Sequence, residues 1–503
     1  MSEVLPVHST AAVAVPSRTV IGAALWAHAG FVLLALIIPA LFYICIDGEF
    51  SANVLLMMGI VVWSQLRLAY TGLTGERRLT LLCFYVFIYV FFGVQPLLSI
   101  AKKSFPINIY LEDGLITFTA CLIMLGIMGF EFGYGLPLRR RRRWGILPRA
   151  AKTLSLRMLW MSIAAVIGLT AVVMVYYGPG AFIGLRGYGG VSPFWVLDVA
   201  NTEFYLVTYM VRSLAAVLLF LAVYLFKNRR ERKVPFYRIS NFGVAFFFLC
   251  LLNLLVSNPL NVPRLWAGSL ILTVYFIAMR WKGSRSFSIL ASASCLTLLL
   301  LFSGLDPRHL AHQLTMNDSV GRPRISVFLS DALEGLPTDA NFDAFAILAS
   351  TTRYTAISGY SFGEQLLLPA LFWVPRAVWP TKPIGTSDMV AGYLDLFSLN
   401  VSAPLWAEGY VNFSIPGLIL FLFFFGRLAR TSDDFHVKTT DQTIPAFPTV
   451  ISAFFSANTF ILLRGDLTSG TMYLQLITIF CFMFLTIDPQ KWKKNDTPNV
   501  ARH

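Results

Sequence analysis

Residues 79–100 read LTLLCFYVFIYVFFGVQPLLSI and contain no charged side chain. A helix needs roughly 20 predominantly apolar residues to cross the hydrocarbon core of a bilayer, so this stretch is long enough to span a membrane. Comparable apolar runs continue along the chain on both sides of it. About twelve membrane-spanning helices are predicted, at 20–46, 52–70, 79–100, 114–135, 156–177, 203–226, 241–257, 265–281, 287–305, 412–430, 446–463 and 468–487.

The composition agrees with an all-α polytopic membrane protein. Of the 503 residues, 56% are hydrophobic and only 13% are charged, about half the charged share of an average soluble domain. So few charges cannot cover the surface of a soluble protein of this size, which excludes a soluble enzyme, a disordered chain and a nucleic-acid-binding protein. The six cysteines lie inside apolar runs without a Cys-x-x-Cys pair, so neither a disulfide framework nor a zinc site is predicted.

The basic residues predict how the helices are oriented, because Lys and Arg concentrate in cytoplasmic loops. With a cytoplasmic N-terminus, 28 of the 40 Lys and Arg residues flank inner helix ends and 11 flank outer ends. This bias predicts that both termini are cytoplasmic, with residues 1–19 and 488–503 as tails. The run RRRRR at 139–143 is interpreted as an anchor against anionic lipid headgroups rather than a nucleic-acid patch.

This topology divides the chain into helices 1–9 within 20–305, one large outer segment at 306–411, and helices 10–12 within 412–487. An outer segment of this length is too long to be a simple connection and is the natural place for a functional site. Within it, LLLPALFWV at 366–374 is apolar but too short to span, which predicts a re-entrant or interfacial helix.

Cations on the outer side oppose the positive-inside bias and are therefore candidates for binding an anion. A guanidinium matches a phosphate group with two parallel hydrogen bonds, although an ion pair with a nearby carboxylate is the alternative for each residue. No metal site or cofactor is predicted, since the loop carboxylates are scattered and His309 and His312 have no third ligand nearby. The candidate cations are Arg264, Arg353, Arg376, Lys382 and Arg464.

Five motifs in the second half of the chain resemble one family. In their order and spacing they are similar to the Wzy-type oligosaccharide repeat-unit polymerases of bacteria, which polymerise O-antigen, capsule or exopolysaccharide units. The resemblance covers about 240–470, and it departs from the pattern at Ser414, where a glycine is expected. The motifs are NPLNVPR at 258–264, NFDAF at 341–345, VPRAVWPTKP at 374–383, APLWAEGYVNFSIPG at 403–417 and RGDL at 464–467.

The resemblance implies a multi-helix, lipid-dependent glycosyltransferase in the bacterial inner membrane. Such an enzyme moves a growing glycan from undecaprenyl diphosphate to the non-reducing end of a fresh lipid-linked unit, on the periplasmic face. It needs no nucleotide sugar and no metal. The expected partners are the lipid-linked oligosaccharide, as donor and acceptor, and membrane lipids. No nucleic acid is expected, and the sequence leaves open whether a separate protein regulates chain length.

The chemistry of that reaction assigns roles to the candidate residues. Charge develops on the leaving diphosphate, which arginines stabilise, and the acceptor hydroxyl benefits from a carboxylate base. The expected catalytic residues are Arg376, Glu408 and Asp343, with Asp466 as a third candidate base. The expected substrate-binding residues are Arg264, Arg353, Lys382, Arg464 and Asn412, together with Trp379 and Trp406, which either stack on sugar rings or pack the loop.

Three other functions remain open at this stage: an O-antigen ligase, a flippase or transporter, and an acyltransferase. An O-antigen ligase would use the same donor but another acceptor, and it usually depends on a loop histidine. Here only His309 and His312 qualify, and they lie outside the matched motifs. A flippase or transporter of the lipid-linked unit would place charges deep within spans and pair broken helices. Arg212 lies within a predicted span, but no paired pattern accompanies it.

Overall fold

The structure is a computed structural model that describes residues 18–45, 49–137, 151–152, 156–183, 202–231, 236–259, 261–304, 335–376, 378–396, 401–438, 446–484 and 486–487. The predicted tails lie almost wholly outside the described residues. So do the basic run at 139–143 and the two loop histidines, His309 and His312.

The described chain is helical, apart from a two-residue antiparallel pair between β1 (Ala151–Lys152) and β2 (Thr486–Ile487). Each of the twelve predicted apolar stretches overlaps a helix. In chain order the helices are α1 (Arg18–Phe31), α2 (Ile38–Cys45), α3 (Ala52–Thr74), α4 (Leu79–Phe87), α5 (Gln95–Ala101), α6 (Asp113–Gly135), α7 (Leu156–Tyr177), α8 (Gly180–Ile183), α9 (Thr202–Glu231), α10 (Phe236–Val256), α11 (Arg264–Ala278), α12 (Ser284–Gly304), α13 (Ala344–Ser358), α14 (Leu367–Leu371), α15 (Thr386–Tyr393), α16 (Leu405–Lys438), α17 (Ala446–Arg464) and α18 (Leu467–Met483).

Six helical segments of the described chain are long and apolar enough to cross a membrane. This all-helical architecture agrees with a polytopic membrane protein. Five further apolar helical segments are shorter, at 10–17 residues each. The six long segments are Ala52–Thr74, Leu79–Ala101, Asp113–Gly135, Arg157–Tyr177, Leu206–Lys227 and Leu405–Val437.

The stretch at 79–100 forms the axis of the bundle. A π-helical turn, Ile88–Val94, joins α4 to α5 into one rod. This rod is 100% buried, whereas the other five long segments are 28–72% buried. Aromatic side chains fill the space around it, and Phe84 stacks on Phe130 of α6 with ring centroids 3.5 Å apart. A helix that is apolar on all sides is suited to this position, because no face of it meets a polar surrounding.

Glycines let α6 and α16 approach each other closely. A Cβ atom on Gly129 would lie 2.8 Å from the carbonyl oxygen of Ile419, which is nearer than real Cβ atoms approach. Small residues at helix interfaces allow backbone-to-backbone packing, the main source of association when lipid removes the hydrophobic driving force. This interface therefore fixes the position of α16, which carries part of the site described below.

The chain reverses direction inside α16. Phe413 (φ −144°, ψ 29°) and Ser414 (φ 57°, ψ −150°) interrupt the helix. A Cβ on Gly409 would lie 2.6 Å from the Cα atom of Leu418, whereas residues nine apart in a straight helix are separated by about 13 Å. The element therefore consists of a short arm, 405–412, folded back on a long arm, 415–438. The sequence predicted a single crossing at 412–430 and placed 405–411 in a loop, so the short arm was missed.

The bundle has two distinct ends, which we call the basic end and the site end. At the basic end, the α3–α4 turn meets α11, α6 and the end of α16. Trp281 Nε1 donates to the carbonyl of Gly75 (2.7 Å), and Asp433 Oδ1 accepts from the Thr80 N–H (2.8 Å). At the site end, α3 and α6 begin and α17 ends, close to the segment at 335–404. Asn53 Nδ2 donates there to Asp113 Oδ1 (3.3 Å).

The described part of the predicted outer segment, from residue 335 onward, packs at the site end. In α13, residues 344–352 are buried against the bundle, and Phe342 packs on Phe91 of the central rod, with ring centroids 5.3 Å apart. The apolar stretch at 366–374 forms the five-residue helix α14. Gln475 Nε2, in the third turn of α18, donates to the carbonyl of Pro369 (2.8 Å). This short helix lies alongside α18, and its predicted re-entrant or interfacial placement stays a prediction.

Candidate functional site

The site is assembled around a buried carboxylate on the short arm of α16. Glu408 is only 2% exposed. One carboxylate oxygen accepts from Thr386 Oγ1 (2.8 Å) and the other from the N–H of Leu467 (3.0 Å). Glu408 forms no ion pair within the described chain, although a buried carboxylate normally needs one. It therefore ties α15 to the start of α18 through hydrogen bonds alone.

A second carboxylate lies beside the first. Asp466 begins α18 as its N-cap, and its Oδ1 accepts from the N–H of Thr468 (2.7 Å). Ser387 Oγ donates to its other oxygen (3.4 Å). The Asp466 carboxylate also packs directly on Gly385, where a Cβ atom would leave no room for it. Because Glu408 accepts from the neighbouring Leu467 N–H, both carboxylates meet at this helix N-terminus.

Asp388 is the third carboxylate of the group and lies in the first turn of α15. Burial, and then the negative charge of Asp466, raise the pKa of Asp388 to about 6, against the opposing effects of Arg376 and of the Gly385 backbone. Asp388 is thus close to a carboxylate on one side and a guanidinium on the other. It is partly exposed, unlike Glu408.

Arg376 and Lys382 stabilise one loop through reciprocal hydrogen bonds. The guanidinium of Arg376 donates to the carbonyls of Lys382 (2.6 Å) and Pro383 (3.2 Å). The ammonium of Lys382 donates to the carbonyls of Phe372 (2.9 Å) and Val374 (3.0 Å). Burial and the nearby Arg376 charge lower the pKa of Lys382. In the described chain, neither cation lies within ion-pair distance of a carboxylate, so this loop concentrates positive charge.

Asp343 and Arg464 pair with each other. Arg464 Nη2 donates to Asp343 Oδ1 (3.0 Å), and its Nε donates to the carbonyl of Asn341 (3.0 Å). The second oxygen of Asp343 accepts from the N–H of Ser402 (2.8 Å). Ala403 in turn donates its N–H to the Arg464 carbonyl (3.0 Å). These contacts join the motifs at 341–345, 403–417 and 464–467. Both carboxylate oxygens of Asp343 already accept a hydrogen bond.

Asn412 positions the segment before α14. Its Nδ2 donates to the carbonyl of Glu408 (2.8 Å), and its Oδ1 accepts from the N–H of Gly363 (3.0 Å). The Ser361 N–H donates to the carbonyl of Val411 (2.9 Å). Asn412 is fully buried. In this structure it holds the 361–363 segment against the short arm.

The remaining predicted residues are dispersed. Arg353 donates to the carbonyl of Tyr110 (2.9 Å) and pairs with Glu112 (3.4 Å) at the bundle rim. Arg264 begins α11, whose first-turn Trp266 stacks on Tyr473 of α18 at 3.7 Å between ring centroids. This contact puts Arg264 at the site end, but no described hydrogen bond or ion pair joins it to the three carboxylates.

The two tryptophans have different environments. Trp406 is fully buried, and its Nε1 donates to the carbonyl of Ile123 (3.2 Å). Phe92 packs edge-on against its ring at 4.9 Å between centroids. Trp406 therefore packs the bundle, which was the alternative to sugar stacking. Trp379 is partly exposed on the Arg376–Lys382 loop, and its role in sugar stacking stays a prediction.

The sequence reasoning missed the segment Gly385-Thr386-Ser387-Asp388. Its residues contact both Glu408 and Asp466, yet they lie just beyond the Trp-Pro-x-Lys-Pro motif. The available signal was a Gly-Thr-Ser-Asp run, which is typical of a helix start. Within the described chain, no group of His, Cys, Asp and Glu is arranged to hold a metal ion.

The site combines two groups of charges. One is the loop that carries Arg376 and Lys382, which we call the cationic loop. The other is the group of three carboxylates, Glu408, Asp466 and Asp388. Arg376 and Lys382 can bind an anion, because each retains N–H donors beyond the carbonyls it contacts. The charge of Arg376 acts on Asp388, whose side chain is partly exposed. In comparisons with known proteins, no family model, no curated protein and no solved structure matches the chain.

Proposed function

We propose that the protein is a polymerase that joins undecaprenyl-diphosphate-linked oligosaccharide units into a surface polysaccharide. The observation that carries the proposal is that motifs far apart in the sequence meet at one end of the bundle. Asp343 of the first motif pairs with Arg464 of the last, and the N–H of Leu467 binds Glu408. The segment before Asp388 binds this group through Thr386 and Ser387, and the charge of Arg376 acts on Asp388. These are the motifs on which the resemblance to Wzy-type polymerases rests.

In this proposal the chain crosses the bacterial inner membrane twelve times. The basic end faces the cytoplasm, in line with the distribution of Lys and Arg. The site end then faces the periplasm, where lipid-linked units are joined. Reporter fusions test this orientation: a fusion near Asp339 should report the periplasm, and fusions after Lys233 and Lys494 should report the cytoplasm. A cytoplasmic signal near Asp339 would overturn the architecture.

In the proposed reaction, the cations of the site stabilise the leaving group and a carboxylate acts as the base. The glycosidic bond to the lipid diphosphate breaks, and the leaving oxygens gain negative charge. Arg376 and Lys382 stabilise that charge, since preformed donors at a developing anion lower the barrier. A carboxylate removes the proton of the acceptor hydroxyl. The exposed apolar side chains of Trp373, Val378 and Ile384 flank the cationic loop and suit contact with the lipid part of the substrate.

The first experiment separates a polymerase from a flippase. Deleting the gene in its bacterial host should abolish long polymer while single repeat units still reach the periplasmic face. Lipid-linked units that stay on the cytoplasmic leaflet would favour a flippase. Normal polymer that fails to reach lipid A core would favour a ligase.

The second experiment tests the cationic loop. Arg376→Ala should lower the polymerisation rate about a hundredfold, because losing one transition-state donor costs about 3 kcal/mol. Arg376→Lys should also be poor, since an ammonium cannot reproduce the planar fork. Polymer length is measured against the amount of membrane-inserted protein. The matched control is Lys103→Gln, which removes an exposed cation from the same end, where Lys103 pairs with Glu49. Normal polymer from Arg376→Ala at wild-type abundance would remove Arg376 from the mechanism.

A further inference from the structure

The carboxylates of the site differ in how their oxygens are used. Glu408 accepts from Thr386 and Leu467, and it is 2% exposed. Asp343 accepts from Ser402 and Arg464, and it is 1% exposed. Each of these two carboxylates links structural elements through both of its oxygens. A general base must instead come within hydrogen-bonding reach of the substrate proton, and neither buried group is placed to do so.

Both carboxylate oxygens of Asp466 also accept hydrogen bonds that hold structural elements in place. Its Oδ1 caps α18 through the N–H of Thr468, and its Oδ2 accepts from Ser387 Oγ. An N-cap carboxylate satisfies helix N–H groups that would otherwise lack a partner. Removing Asp466 from this role would loosen the helix that also supplies the Leu467 N–H to Glu408.

Asp388 has the position that the other carboxylates lack. It follows Thr386 and Ser387, whose hydroxyls are fixed to Glu408 and Asp466, so the backbone of α15 is held in place at this point. Its side chain is partly exposed, as is that of Asp466, whereas Glu408 and Asp343 are buried. Unlike Asp466, it is not the N-cap of a helix. The charges of Asp466 and of Arg376 both act on it.

Resting on the proposed polymerase function, we propose that Asp388 is the general base that accepts the proton of the acceptor sugar hydroxyl. As the O–H bond breaks, its electron pair forms the new bond from the acceptor oxygen to the anomeric carbon of the donor. The bond from that carbon to the diphosphate oxygen breaks, and the diphosphate leaves with the bonding pair beside Arg376. The proton remains on Asp388 until it is released to solvent, so atoms and charges balance.

The charges around Asp388 predict its pH behaviour. Asp466 acts on it from the start of α18, and Arg376 acts on it from the loop, where Lys382 is a neighbour of Arg376. Glu408, on the short arm, is in turn affected by the charge of Asp466. Burial and Asp466 raise the pKa of Asp388 to about 6. A base works in its ionised form, so activity should rise with pH through about 6 and level off above 7.

The test uses the full-length protein in lipid nanodiscs with a synthetic undecaprenyl-diphosphate-linked oligosaccharide as the probe. Initial rates are measured from pH 5 to 8, and melting temperatures are recorded for every variant. Asp388→Asn should lower the rate at pH 7.5 about a hundredfold or more and remove the rise near pH 6. Asp388→Glu should restore part of the rate and the pH dependence, because it keeps a carboxylate at the same place.

The outcomes separate this assignment from the proposed function. A wild-type protein that makes no polymer overturns the polymerase and the base together. An active wild type with an Asp388→Asn variant that keeps the rate and the pH profile overturns only the assignment of Asp388. Glu408→Gln is the matched comparison, and loss of the pH profile in that variant alone would move the base to Glu408. If Asp388→Asn lowers the melting temperature, Asp388→Glu decides the question, since a purely structural role would not restore the pH profile.

Discussion

The carboxylates at the two ends of the bundle have different partners. Toward the basic end, Arg67 and Glu131 form a two-point ion pair, with Nε to Oε1 at 2.7 Å and Nη2 to Oε2 at 3.1 Å. Asp433 is fully buried and accepts from three donors, the N–H groups of Thr80 (2.8 Å) and Leu81 (3.0 Å) and the hydroxyl of Tyr134 (2.9 Å). Each of these charges meets a complementary group.

At the site end, three neighbouring carboxylates form no ion pair with the cations of the nearby loop within the described chain. Glu408, Asp466 and Asp388 lie next to one another, whereas Arg376 and Lys382 donate to backbone carbonyls rather than to these carboxylates. Asp343 and Arg464 are the pair that connects the motifs around them. Structural ion pairs are expected to be satisfied, while separated charges in a partly exposed region are typical of functional sites. The comparison assigns stability to the basic end and chemistry to the site end.

The largest effect on stability is expected from Asp433→Ala. This change leaves the N–H groups of Thr80 and Leu81 and the Tyr134 hydroxyl without their acceptor in a buried place. Buried donors without partners cost about 1–3 kcal/mol each, and partial rearrangement should leave a net loss of about 3 kcal/mol. Unfolding in detergent micelles measures the loss, and polymerisation per folded molecule should change less than twofold.

Asp434→Ala is the matched control for that prediction. Asp434 is partly exposed and pairs with Arg430 at 2.9 Å, one helical turn away. Such pairs contribute less than about 1 kcal/mol, so this variant should remain close to the wild type. If Asp433→Ala were as stable as Asp434→Ala, the basic end would not depend on satisfied charge, and the comparison between the ends would fail.

Much of the helical framework could be predicted from the sequence, because long apolar runs leave few alternatives to a helix. The reversal at Phe413–Ser414 could not, since the short arm before it contains Glu408 and Asn412 and lacks the apolar run that identifies a membrane-spanning helix. The departure at Ser414, where the resembled pattern has glycine, was the visible signal: Ser414 has φ 57°, in the region that favours glycine. A motif identifies a position, but only the fold shows that the backbone there is left-handed.

Side-chain roles at the site were predictable in part. Asp343 and Arg464 pair directly, and Glu408 accepts from the N–H of Leu467, three residues after Arg464. These contacts join segments that are distant in the sequence, which the motifs alone do not predict. Trp406 illustrates the limit. Whether an aromatic ring stacks on a ligand or packs a core depends on its neighbour, and here Gly126 of α6 has no side chain, which leaves room for the indole. Asp388 was missed because α15 has only eight residues and gives no strong periodic signal.

Ser414→Gly should stabilise the protein at the site end, and so it tests whether the strained turn there limits stability in comparison with the basic end. A non-glycine residue in this backbone region costs about 1–3 kcal/mol, and the greater unfolded-chain entropy of glycine offsets part of the strain that the change relieves. The lost contact from Ser414 Oγ to Tyr360 OH (3.0 Å) is exposed and should matter little. We therefore expect a gain of about 1 kcal/mol, measured by unfolding in micelles. A lower stability than the wild type would mean that the strained turn is not the weak point of α16.

The smallest effect is expected from Arg353→Ala, although its position on the outer side made it a candidate anion ligand. Its guanidinium donates to the carbonyl of Tyr110 and pairs with Glu112, whose side chain is 72% exposed. Exposed pairs contribute about 0.2–1 kcal/mol and are screened by salt. Polymerisation should thus fall less than about threefold, against about a hundredfold for Arg376→Ala.

Comparing the polymerisation rates of Arg353→Ala and Arg376→Ala tests whether an arginine that pairs with a carboxylate has only a structural role. Both residues are arginines of the same end, but Arg353 faces a carboxylate and Arg376 faces backbone carbonyls beside Asp388. If pairing with a carboxylate marks a structural arginine, Arg353→Ala should leave the rate almost intact at both low and high salt. A hundredfold loss in this variant would show that a paired arginine can serve the reaction, because the substrate then displaces Glu112. In that case the separation of charges at the site end would no longer distinguish functional from structural cations.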